Sequence, residues 1–208
     1  MSEVQNDFSK VKSMIKKSMS VSTFVMWPLL MGLGTVAYPL ISIVLTDKWI
    51  ECVPFMQVFC LVFATFPIQT ANLNAIKAVG RSDIFFKLEV MESIVGILLL
   101  LIGMRYGALW IAIMYFFSAI VNCILIIHES SKTFKYGFFE QIADIIPSFV
   151  ASCIMGVVVY SLYLFKPTNW IIFVQVPVGV FVYILCAKVF KIESYEIIKK
   201  VINEYRNK

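Results

Sequence analysis

The sequence predicts an all-α membrane protein with six transmembrane helices and both termini in the cytoplasm. The chain is 60% hydrophobic and only 15% charged, and it contains six long apolar stretches. When these stretches are taken as spans, 15 of the 18 lysine and arginine residues fall on one side. A soluble protein of this composition would expose too much apolar surface. The net charge of +5 therefore indicates contact with anionic membrane lipid, and not with nucleic acid.

The six predicted spans lie at about 20–45, 53–75, 85–104, 107–127, 145–165 and 168–187, in a bundle that occupies 18–190. Each reaches the roughly 20 residues needed to cross a hydrocarbon core of about 30 Å. The basic residues concentrate in alternate connecting segments, and because cytoplasmic loops are rich in lysine and arginine, both ends should be cytoplasmic. The external loops, at about 46–51, 103–107 and 166–169, are short, so consecutive helices should be antiparallel neighbours.

Both ends of the chain carry an amphipathic pattern. In the lead-in, 1–17, the apolar residues Val4, Phe8, Val11 and Ile15 recur every three or four positions, with lysines on the other face. The tail, 191–208, repeats this spacing from Ile192 onwards. Such segments typically lie along the cytoplasmic membrane surface, and partner binding is the alternative.

Prolines interrupt the first two predicted spans. Pro28 and Pro39 fall in the first span, and Pro67 falls in the second. Since proline removes a backbone N–H and clashes with the preceding turn, these helices should bend or break. Each freed carbonyl then needs another partner, which predicts that these parts of the helices face protein or a water-filled cavity.

The second span also carries four side-chain amides, on Gln57, Gln69, Asn72 and Asn74. Gln69 and Asn72 are three residues apart and share a helical face. Interrupted helices with polar side chains are typical of a transport pathway. The alternative is that these amides hydrogen-bond between helices as packing contacts.

Two carboxylates, on Glu89 and Glu92, fall inside the third span. A carboxylate at such depth is costly, and it normally faces a bundle interior, a wet cavity or a cation. The nearest candidate cations along the chain are Lys77, Arg81 and Lys87. The pair therefore predicts either a group that faces a lumen or acts in gating, or a structural ion pair at the membrane interface.

The chemical motifs of enzymes are missing from this pattern. Paired carboxylates can perform acid–base catalysis, but no nucleophile and no metal-ligand set accompanies these two. The five cysteines are scattered through predicted helices without the spacing of a zinc site. The sequence therefore predicts a protein that is not an enzyme and that needs no metal or other cofactor.

Two stretches of the chain resemble polysaccharide-unit flippases of the Wzx type, which belong to the superfamily that includes multidrug exporters. The first, at 27–61, reads WPLLMGLGTVAYPLISIVLTDKWIECVPFMQVFCL and is similar to the family's FPL-x-x-G helix, which leads through a Lys-Trp turn to a Val-Pro helix. The second, at 72–90, reads NLNAIKAVGRSDIFFKLEV and is similar to the family's N-x-N-x-x-K-A-x-G-R-S-D segment. Together the resemblance covers most of 8–127.

The resemblance implies a two-lobed transporter of the bacterial inner membrane that moves an undecaprenyl-pyrophosphate-linked oligosaccharide by alternating access. Members of the family have roughly twelve to fourteen helices, so the chain corresponds to the later six and should require a preceding lobe or a second copy. In that setting Lys77, Arg81 and Lys87 would attract the anionic pyrophosphate, unless they only determine topology. Glu89 and Glu92 would bind coupling ions or close a gate between the lobes.

Three other interpretations remain open on the sequence. An exporter of drugs or of another lipid-linked precursor would share the fold and differ in the lumen. A non-functional truncated remnant would form no stable membrane protein. A membrane-embedded enzyme of envelope assembly would need a large external loop or intramembrane His, Arg and Asp groups, which the predicted spans lack.

Overall fold

The computed structural model describes residues 8–165 and 169–206, and all regular secondary structure within them is helical. The all-α prediction is confirmed. Two 3₁₀ turns, Asp47–Cys52 and Asn169–Ile171, accompany nine α-helices in this described part of the chain. The α-helices are α1 (Phe8–Thr35), α2 (Ala37–Val44), α3 (Val53–Ala64), α4 (Phe66–Ala78), α5 (Ser82–Gly103), α6 (Ala108–Phe134), α7 (Phe138–Phe165), α8 (Ile172–Val189) and α9 (Glu193–Arg206).

Several of these helices are long and apolar enough to cross a membrane. Four segments qualify by length and composition: Asp47–Ala78, Ala108–Phe134, Phe138–Leu164 and Ile172–Val189. A fifth is the pair Ser9–Thr35 and Ala37–Val44, if its two bent parts form one span. Helix α5, the predicted third span, does not qualify, and it contains Asp83, Lys87, Glu89 and Glu92. The number of six spans and the cytoplasmic position of both ends stay predictions.

The first predicted span is broken at Val36, between α1 and α2, where the two helices meet at 67°. Pro39 accounts for this position, because it offers no N–H to the Thr35 carbonyl one turn earlier and its ring crowds that carbonyl. The Thr35 hydroxyl turns back to donate to the Gly32 carbonyl at 2.8 Å. The expected break is therefore present, and it lies one turn before the proline that causes it.

Pro28 does not break its helix, since α1 continues from Phe8 to Thr35. The carbonyl that loses its helical donor is that of Phe24, four residues earlier. The Tyr183 hydroxyl of α8 donates to this carbonyl at 2.7 Å, in a buried setting. A neighbouring helix thus supplies the partner that the proline removes, as expected for a helix inside a bilayer.

The second predicted span is divided at Thr65, between α3 and α4. Pro67 is in the first turn of α4, where its missing N–H costs little. The Thr65 hydroxyl donates to the Val62 carbonyl at 2.8 Å, which caps the end of α3. The structure thus places a one-residue interruption shortly before Pro67, within the candidate span Asp47–Ala78.

The fourth and fifth predicted spans are each part of a longer helix, which extends into the predicted loop between them. Helix α6 continues to Phe134 and α7 begins at Phe138, so a predicted loop of about 128–144 is reduced to residues 135–137. Charged residues in this region, such as Glu129 and Glu140, therefore lie on helices. They mark where a helix leaves the apolar layer, and not where it ends.

The contacts divide the chain into two compact units. Unit 1 comprises Met1–Met19 and Leu61–Asp144, and unit 2 comprises Ser20–Cys60 and Ile145–Lys208. The fully buried core of unit 1 includes Ile76, Ile126 and Tyr136. The core of unit 2 is built around Phe24, Ala151, Met155, Val159 and Tyr183, among others. The single bundle over 18–190 stays a prediction.

In the described parts of the two amphipathic ends, several apolar residues are buried against protein. Val11, Ile15 and Met19 are buried in unit 1, on a helix that continues without interruption into the first span. This differs from the expectation of a lead-in lying on the lipid surface, because protein already covers its apolar face. In unit 2, Ile192 and the Ser194 side chain at the start of the tail helix α9 are buried, and Ser194 shares a 2.7 Å hydrogen bond with Ser20. Val4 lies outside the described residues.

Two helices end in the same hydrogen-bonded turn, but only one of them uses glycine. After α4, Gly80 has φ 79°, and the Arg81 N–H donates to the Ile76 carbonyl at 3.2 Å. After α8, Lys191 has φ 48°, and the Ile192 N–H donates to the Ala187 carbonyl at 3.1 Å. Both are Schellman turns, which require a left-handed residue and therefore favour glycine.

Replacing Lys191 by glycine should raise the free energy of unfolding by about 1 kcal/mol, because the left-handed conformation costs a residue with a Cβ roughly that much. Thermal denaturation in detergent micelles measures the change. The control is Lys188→Gly, inside the last turn of α8, which should lower stability by a similar amount. Equal losses from both substitutions would contradict the strain at Lys191.

Candidate functional site

Helix α4 in unit 1 has two faces of opposite character. Thr70, Asn74 and Lys77 are exposed and lie at helical spacing along one face, called here the polar stripe. Ile68 and Ala75, on the other face, are buried. A helix that belongs to a candidate membrane span should not offer such a stripe to lipid, because polar side chains are costly in hydrocarbon. The stripe is suited to a water-filled lumen or to a polar partner.

Asn72 lies on the buried face of the same helix and is the centre of a hydrogen-bond network. Its side-chain amide donates to the Ile68 carbonyl at 2.9 Å and to Gln141 Oε1 at 3.0 Å. Its oxygen accepts from the Ser130 hydroxyl at 2.6 Å. Gln141 in turn donates to the Tyr136 carbonyl at 3.1 Å. This geometry, which joins α4, α6 and α7, favours the packing alternative for Asn72.

Gln69 is half-buried, one turn before Asn72, and also bonds between helices. Its amide donates to Thr65 Oγ1 at 2.9 Å and to the Ala119 carbonyl of α6 at 3.2 Å. Its oxygen accepts a long hydrogen bond of 3.4 Å from the Asn122 amide. Gln69 and Asn72 thus share a buried side of α4, as their spacing predicts, while Asn74 lies on the exposed side.

Gln57 belongs to unit 2 and is not part of this group. It is exposed on α3, and its amide donates to the Gly34 carbonyl at 3.2 Å, close to the break between α1 and α2. Its observed contact therefore serves the backbone next to a helix break.

Each of the three candidate cations has a partner other than Glu89 or Glu92. The Arg81 guanidinium pairs with the Asp83 carboxylate through two contacts of 3.1 and 3.2 Å, and this hydrogen bonding lowers the pKa of Asp83. Lys77 Nζ lies 4.1 Å from the centre of the Phe85 ring. Lys87 Nζ lies 3.9 Å from a Glu129 oxygen. The structural ion pair considered for the two carboxylates is not formed with these cations.

Glu89 and Glu92 lie on exposed parts of α5 in unit 1. The Ser93 hydroxyl donates to the Glu89 backbone carbonyl at 2.9 Å. Within the described residues no cation forms an ion pair with either carboxylate.

Sequence reasoning missed a set of ion pairs between α1 and α7. Lys12 pairs with Glu140 at 2.8 Å, and Lys16 pairs with Asp144 at 2.7 Å. The Tyr136 hydroxyl also donates to Asp144, and burial together with that carboxylate raises the pKa of Tyr136. The available signal was that two lysines and two carboxylates each repeat at a spacing of four, with the same offset along the chain. Such a match allows two parallel helices to pair their charges.

The described residues contain no cluster of three or more His, Cys, Asp or Glu side chains that could hold a metal ion. The five cysteines are free thiols. What the site offers chemically is a set of neutral amides and hydroxyls, exposed ammonium and guanidinium groups, and two carboxylates. These groups can bind and guide a polar or anionic molecule.

Comparison with known proteins gives consistent results. A family model described as polysaccharide biosynthesis protein matches residues 1–54. The lipopolysaccharide biosynthesis protein WzxC of Escherichia coli (strain K12) is 24% identical over 165 residues, which cover 75% of this chain and 34% of that protein. The teichuronic acid biosynthesis protein TuaB of Bacillus subtilis (strain 168) is 25% identical over 138 residues, or 66% of this chain and 29% of that protein.

The resemblance to polysaccharide-unit flippases is confirmed. The fold is also similar to that of the lipid II flippase MurJ in an inward closed conformation, with a TM-score of 0.74 at 19% identity over 91% of this chain and 41% of that one. The chain spans about a third of the length of the curated relatives it matches. By its long apolar helices the chain is a multi-pass membrane protein, and the relatives that it matches are considerably longer.

Proposed function

We propose that this chain forms one lobe of a flippase that moves a lipid-linked oligosaccharide, carried on undecaprenyl pyrophosphate, across the bacterial inner membrane by alternating access. The observation that carries the proposal is the polar stripe of α4, exposed on a helix that otherwise has the length and composition of a membrane span. Similarity to polysaccharide biosynthesis proteins and to the fold of a lipid II flippase supports it.

The chemistry of the stripe suits a sugar that passes along it. Hydroxyl and amide groups such as those of Thr70 and Asn74 exchange hydrogen bonds with water and sugar hydroxyls at little net cost. Lys77 adds an exposed positive charge at the end of α4, and its ammonium acts as a point charge towards a pyrophosphate. Arg81 and Lys87 follow at the start of α5, where they extend the positive charge towards an anionic head group.

The proposal requires a partner for this chain. The matched part of the chain covers only about a third of each relative, so a preceding lobe or a second copy would supply the other side of the pathway. The polar stripe would then face the lumen that the two lobes enclose. No step of this mechanism breaks or forms a covalent bond, so the proposed activity is transport and not catalysis.

In the complete protein, the double substitution Asn74→Leu and Lys77→Leu should lower the rate of translocation by about tenfold or more. Each lost contact with the moving head group or sugar raises the barrier by roughly 1 kcal/mol, and the two together lower the rate by more than one decade. The measurement is the flipping of a fluorescent undecaprenyl-pyrophosphate-linked oligosaccharide in proteoliposomes.

Two variants serve as controls for this measurement. Lys77→Arg keeps the charge and should retain most of the activity. Lys132→Leu removes a lysine that is also exposed, on α6, and interacts with Glu129 at 3.9 Å, and it should leave the rate near that of the unsubstituted protein. A normal rate in the double variant, at normal membrane levels, would exclude the polar stripe from the pathway.

A further inference from the structure

A narrow apolar slot lies on unit 2 between α1 and α8, and buried residues of α7 form its floor. Its volume is about 270 Å³, which approaches the size of small-molecule pockets in other proteins. The lining residues of α8 run from Gln175 to Ile184, a distance of about 13 Å along the helix axis. Met155 and Val159 of α7 are buried beneath them. Gly32 of α1 leaves room for the slot, because a Cβ there would come no closer than 3.7 Å, to Met155.

One polar atom of the slot has an unmet hydrogen-bonding requirement. Of the lining residues, only Gln175 and Tyr183 have polar side chains, and the Tyr183 hydroxyl already donates to the Phe24 carbonyl. The Gln175 amide donates to the Val159 carbonyl at 2.9 Å. Gln175 Oε1, however, is buried and has no hydrogen-bond partner among the described residues. An unpaired buried acceptor is unfavourable, so this oxygen favours a molecule that brings a donor into the slot.

The slot is polar at one end and apolar along its length. Gln175 is in the first turn of α8, directly after Trp170 and Phe173, which are exposed and stack at 5.8 Å. Exposed aromatic side chains at the end of a span are typical of the boundary between the apolar layer and the head groups. Beyond Gln175, the walls are formed by apolar side chains such as Val180 and Ile184. An alkyl chain with a terminal hydroxyl takes the same orientation in a bilayer, because its hydroxyl is costly in hydrocarbon.

We propose that the slot binds a long-chain primary alcohol dissolved in the membrane, whose hydroxyl donates to Gln175 Oε1 and whose alkyl chain lies along the apolar walls. A lipid acyl chain without a donor would cover the walls and leave Oε1 unpaired, and a water molecule would pair with Oε1 and leave the walls bare. No residue that lines the slot carries a charge, which suits an uncharged ligand. Leu33 and Val180, on opposite edges, are exposed, so the alcohol enters from the side.

Photolabelling of the chain in phosphatidylcholine nanodiscs tests the site without any transport. The probe is a decanol that carries a diazirine in its chain, and mass spectrometry of the labelled peptides locates the product. We expect saturable labelling of slot residues such as Leu33 and Val180. Unlabelled 1-decanol should compete about fivefold more strongly than its methyl ether, because the ether has no donor for Gln175 Oε1.

Two substitutions test the polar end and the apolar walls separately. Gln175→Met keeps the length of the side chain and removes the acceptor, so the alcohol and its ether should then compete equally. Gly32→Leu fills the slot from α1, and labelling of the slot should fall to background. The matched control is Gly96→Leu on α5 in unit 1, where an added Cβ would also approach a single side chain, that of Ser118 at 3.8 Å. This control should leave the labelling unchanged.

Three outcomes would overturn the proposal: labelling that does not saturate, equal competition by the alcohol and its ether in the unsubstituted chain, or full labelling of Gly32→Leu. Equal competition would assign the slot to an ordinary lipid chain, with water at Gln175 Oε1. Should Gly32→Leu not fold, Val180→Phe narrows the slot from the α8 side and should likewise abolish labelling. These results are independent of the translocation rate, so failure of the slot would leave the proposed function in place.

Discussion

Replacing Asn72 by leucine should lower the free energy of unfolding by about 2–4 kcal/mol. Leucine has the same number and branching of side-chain heavy atoms as asparagine, but it leaves Gln141 Oε1 without a donor and the Ser130 hydroxyl without its acceptor. All three side chains are fully buried. A buried polar group left unpaired costs about 1–3 kcal/mol, although interhelical hydrogen bonds in membranes are often at the low end.

The matched control is Asn74→Leu, two residues along the same helix and exposed. We expect this change to alter stability by less than about 0.5 kcal/mol, as is usual for surface positions. Unfolding in mixed micelles of a mild detergent and dodecyl sulfate, followed by loss of helix, measures both variants. Equal stabilities for the two leucine variants would mean that the Asn72 network contributes nothing to the fold.

The second large effect is expected at Tyr183. Tyr183→Phe should destabilise unit 2 by about 1–2 kcal/mol, since the Phe24 carbonyl then loses the donor that replaces the missing N–H of Pro28. In a Pro28→Ala background the alanine N–H can donate to the same carbonyl within α1. There the loss on Tyr183→Phe should fall below about 0.5 kcal/mol.

A double-mutant cycle at positions 28 and 183 isolates the coupling free energy that arises from the shared Phe24 carbonyl. The four proteins are compared by thermal unfolding in the same detergent. If Tyr183→Phe costs the same amount with proline and with alanine at position 28, then the hydroxyl is not a substitute for the helical donor.

The sequence was sufficient for features that depend on local covalent geometry. Proline lacks a backbone N–H at every position, and for that reason the interruptions near Pro39 and Pro67 were predictable. The continuity of α1 through Pro28 was not, since it depends on a hydroxyl from a helix far along the chain. Helix ends were also misjudged near Phe134 and Phe138, because charged residues are compatible with a helix after it leaves the apolar layer.

The roles of the polar residues divide in the same way. Residue type alone identifies three polar candidates on this helix, Gln69, Asn72 and Asn74. It does not show which side of α4 packs against α6 and α7. Asn72 and Asn74 are chemically identical. Only packing places Asn72 in a buried hydrogen-bond network and Asn74 in the exposed polar stripe. The partners of Lys87 and Asn72 are not evident from the sequence for a related reason: Glu129, Ser130 and Gln141 lie in 128–144, where the apolar pattern predicts a loop.

The hydrogen bond from Tyr183 to the Phe24 carbonyl also has a consequence for biosynthesis. The donor is encoded 159 residues after the acceptor, and a ribosome that adds about 5–20 residues per second takes roughly 8–30 s to reach it. During this interval α1 has already emerged, with a backbone carbonyl that its own helix does not satisfy. Water, lipid head groups or the insertion machinery must occupy that carbonyl until α8 arrives. Unit 2 therefore completes its packing only late in the synthesis of the chain.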